Sequence, residues 1–268
     1  MATTVVHAGA PPGVRRSVRI LGVRVDDVTE DEAVLLADAL IQAGGRHQFV
    51  TVNPEFVIEA GRNPAFAAAL AGADLATPDG VGLLLAARYL GTPLRGRVTG
   101  VELTHRLAAL SAQRGYRLFL LGAAPGVAQA AALALQQRYP GLIVAGTFAG
   151  SPDPRHEPFL RQLIVAARPH ILLVAYGHPR QDVWIARNQP YLNVPLAIGV
   201  GGVFDYLSGR VPRAPAWMRQ AGLEWFYRLL RQPGRWRRIV NAVPRFAWAV
   251  VTRGSRSEDH GGYAPPGA

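Results

Sequence analysis

The stretch "LATPDGVGL", residues 75–83, sets one carboxylate, Asp79, between Pro78 and Gly80, with apolar residues on both sides. An aspartate there can shape a turn through its own backbone, or it can take a proton as a general base. Other polar residues recur in the same setting, at the end of an apolar run. "TVNPEF" offers Thr51 and Asn53, two residues apart and so on one side of an extended chain. "LLGAAPGVAQAA" turns at Gly122 and opens a helix at Gly126, whose first N–H groups could hold a phosphate. It is equally an ordinary turn, having neither a GxGxxG pattern nor the lysine of a P-loop. "VAYGHPRQDVWI" carries His178, Arg180 and Gln181 after a buried run. In "GVGGVFDYLSGRVPRAPAWM", Gly201 allows a ligand close to the backbone, and Asp205 would meet a ribose or cap a turn. No second carboxylate stands at a fixed spacing from Asp79, there is no D-x-D, and the histidines are scattered. Metal-dependent chemistry is therefore disfavoured.

These residues need a frame, and the apolar pattern supplies one. Strand-like and helix-like segments alternate from "SVRILGVRVDDVT", read as one strand, to "PLAIGVGG", the last strand. Thr29 followed by Glu32 has capping-box spacing at the start of "EDEAVLLADALIQAG". "HQFVTVN", "DLATPDG", "YRLFLLG", "LIVAGTFAG" and "HILLVAYG" read as strands, and the stretch "PEFVIEAGRNPAFAAALAGA" as continuous helix. Repeated βα alternation predicts an α/β fold: a Rossmann-like, mainly parallel sheet with helices on both faces. Ligands bind at the carboxyl ends of such strands. That rule gathers Asn53, Asp79, Gly122, Gly177 and Gly201 into one cleft.

The chain has 268 residues, 49% hydrophobic and 18% charged, which is globular composition. It lacks cysteine, so thiol chemistry and disulfides are excluded. It also lacks lysine, so a net charge of +11 rests on arginine, whose forked donors suit phosphate. The reading divides the chain into a flexible tail (1–16), an α/β domain (17–209), a basic helical appendage (210–254) and a disordered tail (255–268). No window reaches the roughly 18 to 20 apolar residues of a membrane span. The N-terminus has no signal-peptide pattern. The appendage holds four of the five tryptophans and a single acid, Glu224. Helical spacing there gives two apolar stripes, Met218, Ala221, Trp225, Leu229 and then Trp236, Val240, Val243, Ala247, Val250. Basic helices with aromatic edges suit an anionic membrane surface. The residues alone thus admit an enzyme acting on a phosphate-bearing substrate, or a nonenzymatic binder of membrane or nucleic acid. A nucleotide-dependent oxidoreductase has no dinucleotide fingerprint behind it.

The ordered series "TVNPEF", "ADLATPDGVGL", "RVTGVEL", "LFLLGAAPGV", "YPGLIVAGTFAG", "GHPRQDVWI" and "GVGGVFDYLSGRVPRAPAWMRQAGLEWFYRLLRQPGRWRR" resembles the WecG/TagA/CpsF glycosyltransferases over about residues 17–240. The resemblance implies an inverting transfer, without metal or other cofactor, from a UDP-sugar to a polyprenyl-diphosphate-linked saccharide in cell-surface polysaccharide synthesis. The sugar would be N-acetylmannosamine-like, or a glucose or uronic acid relative. It implies a cytoplasmic protein, peripheral on the inner face of the membrane, with no nucleic-acid partner; a homo-oligomer is left open. By motif match Asp79 takes the place of the catalytic base and Thr51 and Asn53 the polar pair beside it. Arg97 of "RVTG" and Gln181 of "PRQ" match further site positions. Gly122 and Gly201 join the substrate-binding set. Arg228, Arg235 and Arg238 match appendage arginines that would meet the diphosphate. Arg180 stands where relatives often carry lysine, which keeps the charge. "GHP" stands where many read "GAP", which leaves His178 without an implied role.

Overall fold

A computed structural model describes residues 16–215, 217, 218, 224, 226, 227 and 236–253, with side chains of the last segment described from 242 onward. The chain opens on a hairpin, β1 (Ser17–Ile20) and β2 (Val23–Asp26), paired antiparallel. The sequence reading had one strand here. Leu21 and Gly22 both take positive φ, 49° and 87°, which is what a two-residue hairpin turn between right-twisted strands demands. There follow α1 (Glu30–Ala43), β3 (His47–Val52), α2 (Pro54–Ala60), α3 (Pro64–Ala71), β4 (Leu75–Pro78) and α4 (Val81–Tyr89). Then come α5 (Gly100–Arg114), β5 (Arg117–Gly122), α6 (Val127–Arg138), β6 (Ile143–Phe148) and α7 (Glu157–Ala167). The described elements end with β7 (Ile171–Ala175), α8 (Arg180–Leu192), β8 (Leu196–Gly199), α9 (Val203–Leu207) and α10 (Trp236–Arg253).

Six strands form one sheet in the order β4-β3-β8-β7-β5-β6, every neighbouring pair parallel. The expected Rossmann-like α/β arrangement is the one observed. The helix read through residues 54–73 is two helices. Gly61 ends α2 and the Asn63 side chain caps α3 by accepting from the Phe66 N–H at 3.1 Å. Capping also sets α1, where Thr29 and Glu32 complete the box read from their spacing.

Alternation along the buried strands assigns the faces. Phe49, Leu75, Leu118, Leu120, Leu173 and Ile198 point toward α1, α5, α6 and α9. On the other face, Val50, Val52 and Ala76 meet α2, α3, α4 and the hairpin. Leu121, Leu172, Val174 and Ala197 meet α7 and α8. The last helix, α10, packs on α2 and α4 and sends Phe246 and Val250 into the cluster that holds Phe56 and Leu83. Its buried face is therefore Ala242, Phe246, Ala249 and Val250, while Val243 and Ala247 lie outside. The stripe read from sequence mixes the two faces. Of the earlier stripe, Met218 is buried, and Ala221, Trp225 and Leu229 lie outside the described residues.

If α10 closes this core, Phe246→Ala leaves a cavity against Phe56 and Leu83. It should lower unfolding stability by about 3 kcal/mol, read from urea denaturation; a loss under about 1 kcal/mol would mean that the helix is not held there.

Candidate active site

The β3–β4 register places Thr51 opposite Thr77 and Val52 opposite Pro78. The ladder continues one step, since the Asp79 N–H donates to the Val52 carbonyl at 2.7 Å. Asn53 and Asp79 therefore leave adjacent strand ends side by side. Asn53 turns its Oδ1 to the Phe56 N–H at 3.1 Å and caps α2. Gly80, at φ 133°, brings the backbone across it: a Cβ on Gly80 would sit 4.0 Å from the Asn53 Cβ.

Asp79 is half-buried, and its Oδ2 accepts from the Gly100 N–H at 3.3 Å. Gly100 is the first residue of α5, so the carboxylate lies at a helix N-terminus, where unpaired N–H groups and the helix dipole favour an anion. Thr51 is buried beneath the same glycine; a Cβ at Gly100 would lie 3.7 Å from Thr51 Oγ1 and 3.6 Å from Val203. Helix, threonine and carboxylate thus meet at this residue.

The loop before α5 is strapped to the tip of β4. The Val98 N–H donates to the Pro78 carbonyl at 2.9 Å, and the Thr77 hydroxyl donates to the Val98 carbonyl at 3.2 Å. Arg97, one residue earlier, is thereby placed beside the Asp79 turn. Its charge also reaches Glu30 at the start of α1, whose carboxyl is raised by burial first and by Glu102 next, against Arg106 and Arg97. Arg95 fixes the loop from below. Its backbone N–H reaches Asp27 Oδ1 at 2.7 Å, its Nε reaches Asp27 Oδ2 at 3.2 Å, and its Nη1 reaches Glu32 at 2.8 Å.

Gln181 takes a different part from a ligand-facing one. It is buried in the first turn of α8, and its Oε1 accepts from the Gly177 N–H at 3.1 Å and the Gly201 N–H at 2.9 Å. One amide thus ties the exits of β7 and β8 together and fixes Gly201. Gly122 leaves β5, four strand positions from β4, or ~19 Å at the usual strand spacing. It packs against the end of β7: a Cβ there would lie 2.7 Å from the Ala175 carbonyl carbon. The structure thus brings Thr51, Asn53, Asp79 and Arg97 together. Gln181 with Gly201 stands behind the middle of the sheet edge, and Gly122 stands at its far side. Arg228 and Arg235 lie outside the described residues, as does the side chain of Arg238. Among the described residues no group of three or more His, Asp or Glu could hold a metal ion.

Three features were missed in the sequence. Thr99 caps α5 by accepting from the Glu102 N–H at 3.2 Å. Its T-x-x-E spacing is the signal already used at Thr29. The second is α4, a short apolar run with no side-chain cap. His178 pairs with Glu55 at 3.3 Å, and its ring lies 4.9 Å from that of Phe56. That contact joins the β7 exit to the start of α2; no sequence spacing announces it.

Comparison with known proteins gives a consistent picture. Residues 18–260 match the family described as glycosyl transferase WecG/TagA/CpsF. A Bacillus spizizenii protein named N-acetylglucosaminyldiphosphoundecaprenol N-acetyl-beta-D-mannosaminyltransferase is 36% identical over 202 residues, 75% of this chain and 77% of the relative. A Staphylococcus aureus protein of the same name is 32% identical over 238 residues, 87% and 92% of the two chains.

Behind Gln181 lies Asp182, fully buried, with the Gln181 amide as the side chain beside its carboxyl. It presses on Gly199, where a Cβ would lie 2.5 Å from its Oδ1 and 2.6 Å from Gln181 Nε2. Burial pushes its pKa up to about 7. An unfolded aspartate ionises near ~3.9. Between these values the folded chain holds a proton that the unfolded chain has lost, so stability falls as pH rises from about 4 to 7 and levels above. Asp182→Asn should remove that slope, at most about 1.4 kcal/mol per pH unit. In urea denaturation from pH 5 to 8, the variant should gain on the parent as pH rises; a constant difference would show that the buried group does not titrate.

Proposed function

The chain belongs to the WecG/TagA/CpsF family of glycosyltransferases, and from that premise we propose that it transfers an N-acetylmannosamine-like sugar from a UDP-sugar to a polyprenyl-diphosphate-linked saccharide, with inversion and without a metal. A glucose or uronic acid relative is the other sugar the family implies. The observation that carries this reading is the setting of Asp79: one carboxylate at a strand's carboxyl end, on the N-terminus of α5, with Thr51, Asn53 and Arg97 around it. The names of the relatives support the acceptor class and the sugar. The wholly arginine-based positive charge supports a donor and an acceptor that both carry diphosphate.

In this reading a hydroxyl of the acceptor sugar attacks the anomeric carbon of the donor as Asp79 takes its proton. The bond from that carbon to the UDP oxygen breaks on the opposite side, which inverts the centre. A single base is sufficient for one displacement. The Gly100 N–H donates to the carboxylate and fixes its direction at the α5 N-terminus, an environment that favours an anion. Negative charge grows on the departing UDP, and Arg97 is assigned here to offset it. Arg228, Arg235 and Arg238 are proposed to meet the acceptor's diphosphate.

No described helix is long and apolar enough to cross a membrane. We place the chain peripherally on the inner membrane face, where a lipid-linked acceptor and a cytoplasmic nucleotide sugar meet. Support comes from the outer side of α10, where Trp248 and Val251 are exposed beside Arg245 and Arg253, and from exposed Trp217. Each arginine near an anionic surface adds about 1 kcal/mol.

Two measurements test the proposal. Purified chain incubated in EDTA with a panel of UDP-sugars and a polyprenyl-diphosphate N-acetylglucosamine should release UDP. Asp79→Asn should lower kcat at least about 100-fold with an unchanged melting temperature; full turnover in the variant would remove Asp79 as the base, and no release from any donor would end the donor assignment. In sedimentation with vesicles, the chain should bind phosphatidylglycerol but not phosphatidylcholine, and Trp217→Ser with Trp248→Ser should weaken binding. Equal binding to both vesicles, or none, would refute the surface assignment.

A further inference from the structure

The single acid of residues 210–254, Glu224, does not face solvent alone. Its Oε1 lies 3.7 Å from Arg213 Nε, an ion pair rather than a hydrogen bond. The same guanidinium donates through Nη2 to Glu102 Oε1. All three side chains are largely withdrawn from water, at 23% exposure for Arg213, 30% for Glu102 and 17% for Glu224. Charges so placed are screened less than surface pairs, and removing one partner costs more than the pair itself contributes.

Glu102 is the third residue of α5, and the Thr99 hydroxyl donates to its Oε2 while accepting the Glu102 N–H. The comparison within the chain is informative. In α1 the same T-x-x-E spacing gives Glu32 two contacts, the Thr29 N–H at 2.9 Å and Arg95 from outside the helix. In α5 the glutamate turns to the Thr99 hydroxyl in place of the cap N–H and takes Arg213, so this first turn too is anchored from outside the helix. Between Thr99 and Glu102 stands Gly100, whose N–H meets Asp79.

We infer that Arg213 is a positioning residue for Asp79, and that the Glu102–Arg213–Glu224 chain makes the placement of the α5 N-terminus depend on Glu224. With Glu224 in place, the guanidinium is held against Glu102, the Thr99 cap is fixed, and the Gly100 N–H is aimed at the carboxylate. Without the Glu224 carboxylate, Arg213 keeps Glu102 alone, and the turn that orients the base is held less firmly. The inference rests on the reading of Asp79 as the base.

The test uses the full chain and four variants: Arg213→Ala, Arg213→Lys, Glu224→Gln and the double Arg213→Ala/Glu224→Gln. Two readouts are taken, steady-state transfer and hydrogen exchange of the peptide covering residues 97–104. Arg213→Ala should lower kcat by about 10- to 100-fold, the scale of a misplaced catalytic group, with donor KM changed less than about twofold. Glu224→Gln should act in the same direction but less, and the double variant should be no worse than Arg213→Ala, because both act through one link. Arg213→Lys should recover part of the loss. Amide exchange in 97–104 should speed up in Arg213→Ala and in Glu224→Gln. Unchanged kcat in Arg213→Ala, full additivity in the double variant, or unchanged exchange would each overturn the inference. Should Arg213→Ala fail to fold, Glu224→Gln and Arg213→Lys carry the same comparison. Should the parent chain transfer no sugar, the base reading fails by itself, and exchange alone decides whether Glu224 and Arg213 hold the α5 turn.

Discussion

The parallel pairing of β3 with β4 is the constraint from which the site follows. Side chains alternate along a strand, so a slip of one residue between β3 and β4 would put Asp79 on the opposite face from Thr51 and Asn53. The register is held by burial on both sides: Phe49 and Leu75 face one helical layer, Val50 and Ala76 the other. Once it is set, the polar residues at the strand ends have no freedom but to project together past the last hydrogen bond. Helix α5 then arrives over the same face with a glycine at its first position, and the carboxylate finds a backbone N–H rather than a side chain.

Around that register the chain uses guanidinium groups as straps more than as surface decoration. Arg95 grips Asp27 and Glu32 and so pins the loop that carries Arg97. Arg187 and Arg161 share Glu157, tying α8 to α7. Arg213 reaches from the start of the C-terminal segment to Glu102. The planar fork with several donors suits these multiple contacts in a way that an ammonium would not. The net charge of +11 already counts these pairs as neutral, so it measures the arginine excess beyond the acids.

Much of the sheet was legible in the sequence because buried parallel strands are short apolar runs ending at glycine or a polar residue, and Asp79 was legible as a strand-end acid. The β1–β2 turn was not, because Leu21 is an unusual occupant of a positive-φ position and gives no turn signal. Gln181 reads as a polar residue beside a cleft, whereas its oxygen is spent on two glycine N–H groups from different strands. That is a tertiary fact with no local spacing. The α10 stripe failed for a related reason: which side of an amphipathic helix is buried depends on the partner surface, here α2 and α4, and Phe246 decides it.

The packing of α10 has a consequence for how the protein is made. Residues 236–253 close a core whose other members lie between residues 18 and 87, so the contact spans most of the chain. Synthesis runs from the N-terminus, and early segments fold as they emerge. Phe56 and Leu83 then keep their outer side open until Phe246 and Val250 have been added. The helices that spring from Asn53 and Gly80 are the ones left uncovered. Closure of the cluster beside the strand ends that carry Asn53 and Asp79 is thus deferred until α10 has been made, and until then its apolar surface stays open.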